Sequence, residues 1–364
     1  MTRPLRLLLA AQPLDSGVSR HVVELAQALP AEFTVDVACP RESLTWSTLE
    51  GSSVGLHAIE AHRKPQPGDA RSLATLMKLA GDADVVHVHS AKAGFVGRLA
   101  ASLRGKRTAC AFTPHGWSWW AADGVEAQVY LRLERLAAHW CGAIVALSTD
   151  ERAAGLDARV GRAEQYHVIP NGVRLERFEL PRAPVRGRIL MVGRLARQKR
   201  PDVALRAFAV ARTRIPEAEL FVVGDGPLRG ESEQLAAELS IAGAVRFLGN
   251  RDDVPALLAQ AECVLLASDY EGSPLAVLEA MAASVPVVAT AAAGTVDLVE
   301  AGRTGALVDK GDADGLGAAL IDVLADPARA AELGAEGRRK VEANFSHSGM
   351  VRRLVALYEE LFDR

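Results

Sequence analysis

Residues 177–193 read RFELPRAPVRGRILMVG. Up to Arg188 the stretch carries two prolines and little periodicity, which reads as a linker. From there it becomes RILMVG, a short apolar run closed by a glycine, which reads as a buried strand. A linker followed by a fresh core strand divides the chain in two. Its 364 residues are also too many for one ordinary core, and about two domains is the expectation for that length.

The same alternation runs outward on both sides. Upstream, LRLLLAA leads through QPLDSGVS into the helical pattern HVVELAQAL. FTVDVACP, DVVHVHS, TACAFTPHG and GAIVALS read as further strands, with AGFVGRLAASL and VYLRLERLAAHW as helices among them. Downstream come a helix from about Pro201, then ELFVVGDG, VRFLGN, CVLLAS and PVVAT as strands, with helices between. Strands alternating with helices predict α/β architecture with parallel sheets covered on both faces. Two Rossmann-like domains follow, over residues 1–180 and 181–345, with a closing helix over 346–364. In that helix Val351, Leu354, Tyr358 and Leu361 recur at helical spacing. Two such domains leave a cleft at the carboxyl ends of their strands, where ligands of open α/β sheets bind.

Composition excludes several classes. Apolar residues make up 49% and charged residues 24%, ordinary for a globular chain, and the formal charge is −3. Twenty cations and 19 carboxylates precede residue 181, against 22 and 26 after it, so neither half is a polybasic nucleic-acid-binding domain. Cys39, Cys110, Cys141 and Cys263 form no C-x-x-C pair and read as reduced thiols of a cytoplasmic protein. The opening MTRPLRLLLAAQPLDSG mimics a secretion signal, but a first core strand explains the same short run. The longest apolar region, residues 274–294, is interrupted by Glu279 and Pro286, which argues against a membrane span.

The turns after the strands carry the chemistry. Behind RILMVG lies RLARQKRPD, with Arg194, Arg197, Lys199 and Arg200 in one loop. Four cations at a strand's carboxyl end suit a diphosphate, and a solvated basic loop is the plain alternative. Farther on, SDYEGSPLAVLEAMAA (268–283) sets Glu271 before a helix and Glu279 inside it. Ser273 is expected as the N-cap and Pro274 as the first helical residue. The amides near Gly272, Ser273 and Leu275 would then face an anion at the helix N-terminus. A carboxylate only accepts hydrogen bonds, so vicinal hydroxyls such as those of a ribose would satisfy Glu279. An arginine partner would satisfy it equally. No G-x-G-x-x-G follows the first strand, only Gly17 in QPLDSGVS, which disfavours a nicotinamide dinucleotide enzyme.

EGSPLAVLEA resembles the E-x7-E motif of retaining nucleotide-sugar glycosyltransferases with the GT-B fold, glycosyltransferase family four. GRLARQKRPD, VVGDGPL, VIPNGV and AAGTVDLVEAGRTGALVD match the family in type and order, through most of the chain. The resemblance implies that Arg194 and Lys199 hold the donor diphosphate and that Glu279 binds the ribose. Glu271 would contact the donor sugar, with the amides of Gly272, Ser273 and Leu275 supporting phosphate or sugar. Gly17 would let the first loop approach the pyrophosphate, and His115, in FTPHGW, matches the active-site histidine. Asn171 of IPNGV reads as a turn residue. Two positions depart from the pattern: Ser16 stands where many relatives have a second glycine, and Asp297 where glutamate is common. The donor would sit on the C-terminal domain and the acceptor on the N-terminal one, to which the last helix would cross back.

No cofactor and no metal are implied, because cations and a helix N-terminus can offset leaving-group charge. HGWSWWAADG holds Trp117, Trp119 and Trp120, three of the five tryptophans. They could stack on an acceptor, meet a membrane surface, cover the cleft, or simply pack against the next helix. Arg104, Lys106 and Arg107 close the preceding helix, which suits a lipid-linked acceptor and peripheral contact with the inner membrane face. They also suit the helix's own C-terminal dipole. The expected activity is hexosyl transfer to a hydroxyl acceptor, whether a glycan, a lipid-linked sugar or a small molecule. The rival readings are a sugar-nucleotide 2-epimerase and a non-catalytic sugar-nucleotide-binding partner.

Overall fold

The computed structural model describes residues 3–14, 17–62 and 66–364. It divides into two compact units, Met1–Pro170 with Met350–Arg364, and Asn171–Gly349.

The first unit holds seven strands: β1 (Leu5–Ala11), β2 (Phe33–Cys39), β3 (Gly55–Ala58), β4 (Val85–His89), β5 (Cys110–Thr113), β6 (Ala143–Ala146) and β7 (Tyr166–Val168). They pair in the order β3-β2-β1-β4-β5-β6-β7, every pair parallel. The second unit holds β8 (Arg188–Val192), β9 (Glu219–Val223), β10 (Val245–Gly249), β11 (Cys263–Leu266), β12 (Val287–Thr290) and β13 (Gly305–Val308). Their order is β10-β9-β8-β11-β12-β13, again wholly parallel. This is the doubly wound α/β architecture expected from the alternation.

Each sheet is buried on both faces because its strands are apolar at successive positions. In β1, Leu7, Leu9 and Ala11 enter one core while Leu8 and Ala10 enter the other. In β8, Ile189 and Met191 enter one core and Leu190 the opposite one. The candidate secretion signal is thus a central strand, paired on both sides with β2 and β4. The four cysteines are buried and free.

Residues 171–188 are bound closely to the second unit. Val173 and Phe178 lie in its core, and the amides of Ala183 and Val185 donate to the carbonyls of Ala259 and Gln260, both at 2.9 Å. The last helix, His347–Phe362, buries Val351, Leu354, Tyr358 and Leu361. From Met350 onward it belongs to the first unit, where the Tyr358 hydroxyl lies 2.7 Å from His87 Nδ1. Among the described residues, no helix is long and apolar enough to cross a membrane.

Candidate active site

In each sheet the strand order reverses once at the centre, between β1 and β4 and between β8 and β11. Loops leaving the carboxyl ends of two such strands diverge to opposite faces and open a crevice between them. In the second unit those loops follow β8 and β11, and they carry the residues singled out from the sequence.

The loop after β8 is held by backbone bonds. The Leu195 amide donates to the Asp225 carbonyl and the Leu228 amide to the Leu195 carbonyl, each at 3.0 Å. Gly224 sits at φ +120, and a Cβ there would collide with the Gly193 carbonyl, so the turn after β9 requires glycine. On this base the four cations take different partners. Lys199 Nζ donates to Glu271 Oε1 at 2.5 Å. Arg200 pairs with Asp202 and Asp269 at 2.9 and 3.1 Å, and its guanidinium pKa is raised, chiefly by the Asp202 hydrogen bond. Arg197 is exposed and also has a partner within the chain. Arg194 is exposed and forms no ion pair among the described residues.

Glu271 is 5% exposed and well supplied with donors. Besides Lys199 it accepts from Ser268 Oγ at 2.6 Å and from Gln198 Nε2 at 3.3 Å, while its own amide donates to the Ala293 carbonyl at 3.0 Å. Gly294, at φ +76, lets that chain pass against the Gly272 carbonyl, where a Cβ would clash. Tertiary folding therefore makes a salt-bridged pair of two residues 72 apart in sequence.

The helix after Glu271 spans Leu275–Ala282, one residue later than expected. Pro274 is its N-cap, at ψ 113, and Ser273 is not. The extended ψ of Pro274 delays helical geometry to Leu275. The Ser273 hydroxyl is buried and has no hydrogen-bond partner among the described residues. Its carbonyl is held by Asn171 Nδ2 at 2.7 Å, so Asn171 clamps the helix start instead of merely making a turn. Among the described residues the amides of Gly272, Ser273 and Leu275 donate to no neighbouring loop carbonyl. An unpaired buried hydroxyl and unsatisfied amides at a helix N-terminus are the groups an anion would satisfy. Glu279, one turn inside, is 4% exposed and already has a partner within the chain. The opposed readings of Glu279 are thus compatible, since a carboxylate has several acceptor sites.

The remaining expected residues belong to the first unit. Gly17 opens the helix Gly17–Ala28, and the two residues before it, Ser16 included, lie outside the described residues. His115 follows β5 at φ 56, a left-handed conformation unusual for a side-chain-bearing residue. Its ring is 3.0 Å from His89 Nδ1, and burial, with neighbouring histidines, holds its pKa well below the usual imidazole range.

The tryptophans are core residues. Trp117 is 1% exposed, stacks on Trp119 with centroids 4.6 Å apart, and donates from Nε1 to the Glu151 carbonyl at 2.7 Å. Trp119 and Trp120 pack half-buried against the same core. The Trp117 ring also lies against Phe112 of β5, with centroids 6.3 Å apart. The exposed apolar residues nearby are Val125, Val129, Leu133 and Leu136, on the helix Gly124–Ala137 with Arg132 and Arg135.

Glu151 escaped the sequence reading. It is fully buried and accepts from the Gly116 amide at 2.5 Å and the Leu147 amide at 2.6 Å, fixing the turn that carries His115. The signal was present as S-x-x-E at Ser148–Glu151, a capping-box pattern. Ser148 does cap the helix, but the Glu151 carboxyl turns to Gly116 and Leu147. Burial pushes its pKa from 4.5 up to about 7, against the two amide bonds, which lower it. A raised carboxyl pKa means the folded chain keeps a proton that the unfolded chain has lost. Stability should therefore fall as pH rises from 4.5 to about 7, by about 3 kcal/mol in all, and level off above. Urea unfolding at pH 5 and pH 8 checks this. Glu151→Gln should flatten the difference, and an unchanged pH dependence would refute it.

Two parallel α/β units, with a lysine–carboxylate pair beside an open helix N-terminus at a strand-order reversal, define the class of GT-B nucleotide-sugar glycosyltransferases. Residues 16–172 match the glycosyl transferase 4-like domain and residues 173–340 the group 1 glycosyl transferases. The chain belongs to this family, of the family-four type, and is a glycosyltransferase that uses a nucleotide-sugar donor. It is 29% identical over 334 residues, 86% of either chain, to an Escherichia coli UDP-Gal:alpha-D-GlcNAc-diphosphoundecaprenol alpha-1,3-galactosyltransferase. It is 36% identical over 172 residues to a Mycolicibacterium smegmatis GDP-mannose-dependent alpha-(1-6)-phosphatidylinositol monomannoside mannosyltransferase, covering 45% of this chain and 44% of that one. The structure of Anabaena HepE in complex with UDP and glucose superposes with a TM-score of 0.84 at 21% identity, over 98% of this chain and 99% of that one.

Proposed function

We propose that the chain transfers a hexosyl group from a nucleoside diphosphate sugar to a lipid-linked hydroxyl acceptor, with retained anomeric configuration and no metal. The observation that carries this reading is the Lys199–Glu271 pair beside the buried Ser273 hydroxyl, which has no hydrogen-bond partner among the described residues. Arg194 and Lys199 hold the diphosphate, Glu279 the ribose, and Glu271 the sugar hydroxyls. The amides of Gly272, Ser273 and Leu275 support the phosphate, and Gly17 serves the pyrophosphate from the first unit. His115 contacts the donated sugar.

In the reaction the bond from the anomeric carbon to the phosphate oxygen breaks. The acceptor oxygen bonds to that carbon on the same face, and its proton passes to the leaving phosphate. The cations and amides offset the charge that develops on the phosphate, the task a divalent ion performs elsewhere. The relatives named for diphosphoundecaprenol and phosphatidylinositol acceptors support a lipid-linked acceptor. The apolar and basic helix Gly124–Ala137 supports peripheral membrane contact. Both relatives are named as transferases, which sets the epimerase and the non-catalytic partner behind.

Incubation with a panel of nucleoside diphosphate sugars and vesicles carrying a lipid-linked sugar tests the proposal. An α-linked product should form at an undiminished rate in excess chelator, with the protein sedimenting with the vesicles. Turnover lost to chelator and restored by magnesium or manganese would overturn metal independence. A free epimer in place of a product would overturn transfer.

A further inference from the structure

We propose that His21, His89 and His115 form a binding site for one divalent transition metal of the zinc class, and that filling this site arrests transfer by engaging His115. The second clause rests on the role given to His115 above; the binding itself does not.

The three residues converge from separate elements at the central reversal of the first sheet. His89 is the last residue of β4, His115 lies two beyond the end of β5, and His21 is on the helix that follows β1. Their ring centroids form a nearly equilateral triangle, with sides of 5.1, 5.3 and 5.4 Å. One ring nitrogen of each lies within 4.8 Å of one from each of the others, and His89 Nδ1 and His115 Nε2 are 3.0 Å apart. Zinc–nitrogen bonds in tetrahedral geometry would place such nitrogens roughly 3.4 Å apart. The His89–His115 pair would open by about 0.4 Å and the other pairs close by at most about 1.4 Å, within the reach of side-chain rotation.

The fourth nearby imidazole has a structural role. His87 is fully engaged, with Nδ1 2.7 Å from the Tyr358 hydroxyl and Nε2 2.7 Å from Thr113 Oγ1, and burial pushes its pKa down to about 3. It is a core histidine with both nitrogens satisfied. His89 is equally buried, yet its Nε2 has no hydrogen-bond partner among the described residues. Its Nδ1 is the nitrogen that faces His115 and would meet a metal held between the rings.

The donor set selects the metal. Three imidazoles without a carboxylate suit zinc, cobalt, nickel or copper, and not magnesium or calcium. A neutral imidazole offers such an ion a lone pair. Three protein ligands would leave a fourth position for water or an anion. A metal so held would take the lone pair of His115 and fix its ring.

Cobalt provides a readout that needs no turnover. The full chain, treated with chelator and exchanged into metal-free buffer, should bind one equivalent of Co2+ with the visible absorption of a four-coordinate ion. Zn2+ should displace it. His21→Gln and His89→Gln should each weaken Co2+ binding by roughly 100-fold, at least the loss expected from disturbing a supporting group of such a site. Should His89→Gln fail to fold, as judged by circular dichroism, His21→Gln decides. In transfer assays the ratio of rates with and without Zn2+ should be far below one for the wild type and near one for His21→Gln. No four-coordinate spectrum in the wild type, or unchanged Co2+ affinity in a folded variant, would overturn the site. Equal Zn2+ inhibition in wild type and His21→Gln would overturn the arrest. Success with cobalt but no transferase activity under any donor would instead count against the proposed function.

Discussion

Arg194→Ala should lower turnover on the order of 100-fold while leaving the melting temperature where it is. The guanidinium is exposed and pairs with no carboxylate among the described residues, so its removal strands no buried charge. On the proposed reading what is lost is a cation for the leaving diphosphate, an effect worth roughly two to three powers of ten in related charge-stabilising sites. Lys199→Ala should lower turnover at least as far but for two combined reasons. Lys199 is the cationic partner of Glu271, whose side chain is 7% exposed. Without it, Glu271 keeps only the donors Ser268 and Gln198, and a buried carboxylate that loses its ion partner typically costs about 3–5 kcal/mol. Thermal melts beside initial rates separate the two variants. Near-wild-type turnover in Arg194→Ala and Lys199→Ala together would remove both residues from the diphosphate seat. A melting temperature unchanged in Lys199→Ala would show the pair to be weaker than its geometry implies.

Glu279→Gln should weaken binding of the free nucleoside diphosphate by roughly 1–3 kcal/mol, the range for a hydrogen bond to a charged group. The substitution keeps the shape of the side chain. It replaces two acceptor oxygens with one and adds an amide donor that ribose hydroxyls do not need. Glu279 already has a partner within the chain, so some stability should be lost as well, and affinity must be measured on folded protein. Glu271→Gln should behave in the opposite way. The amide can no longer form the ion pair with Lys199, so transfer from the full donor should fall, while affinity for the diphosphate without its sugar should hold. Calorimetric titration of both variants, beside rates with the sugar nucleotide, decides. Should Glu271→Gln lose diphosphate affinity and Glu279→Gln keep it, the two roles are exchanged.

Every strand that sequence reading missed lies at a sheet edge, although the edge strand β10 was found, as the apolar run in VRFLGN. Ten were read as apolar runs. The three missed were β3, β7 and β13, with sequences GLHA, YHV and GALV, and each lies at a sheet edge. An edge strand pairs on one side and buries less of itself, so it needs no run of apolar residues, and its local signal fades. The tryptophans failed for a related reason. Polar neighbours around HGWSWWAADG describe the chain locally, whereas the 1% exposure of Trp117 depends on β5 and on Glu151, 34 residues away.

By itself the sequence determined the alternation of strand and helix, the two-unit plan, the parallel sheets and the loops that bear the candidate chemistry. These follow from local periodicity and from turn residues placed directly after strands. Only the tertiary structure decided which groups meet. It set Lys199 against Glu271, turned Glu151 to the amide before Trp117, clamped the Ser273 carbonyl with Asn171, and gathered His21, His89 and His115 into one triangle. Each of these joins residues far apart in the chain. Their encounter is fixed by the order of strands in a sheet, and the reversal at the centre of that order brings the ends of non-consecutive strands together.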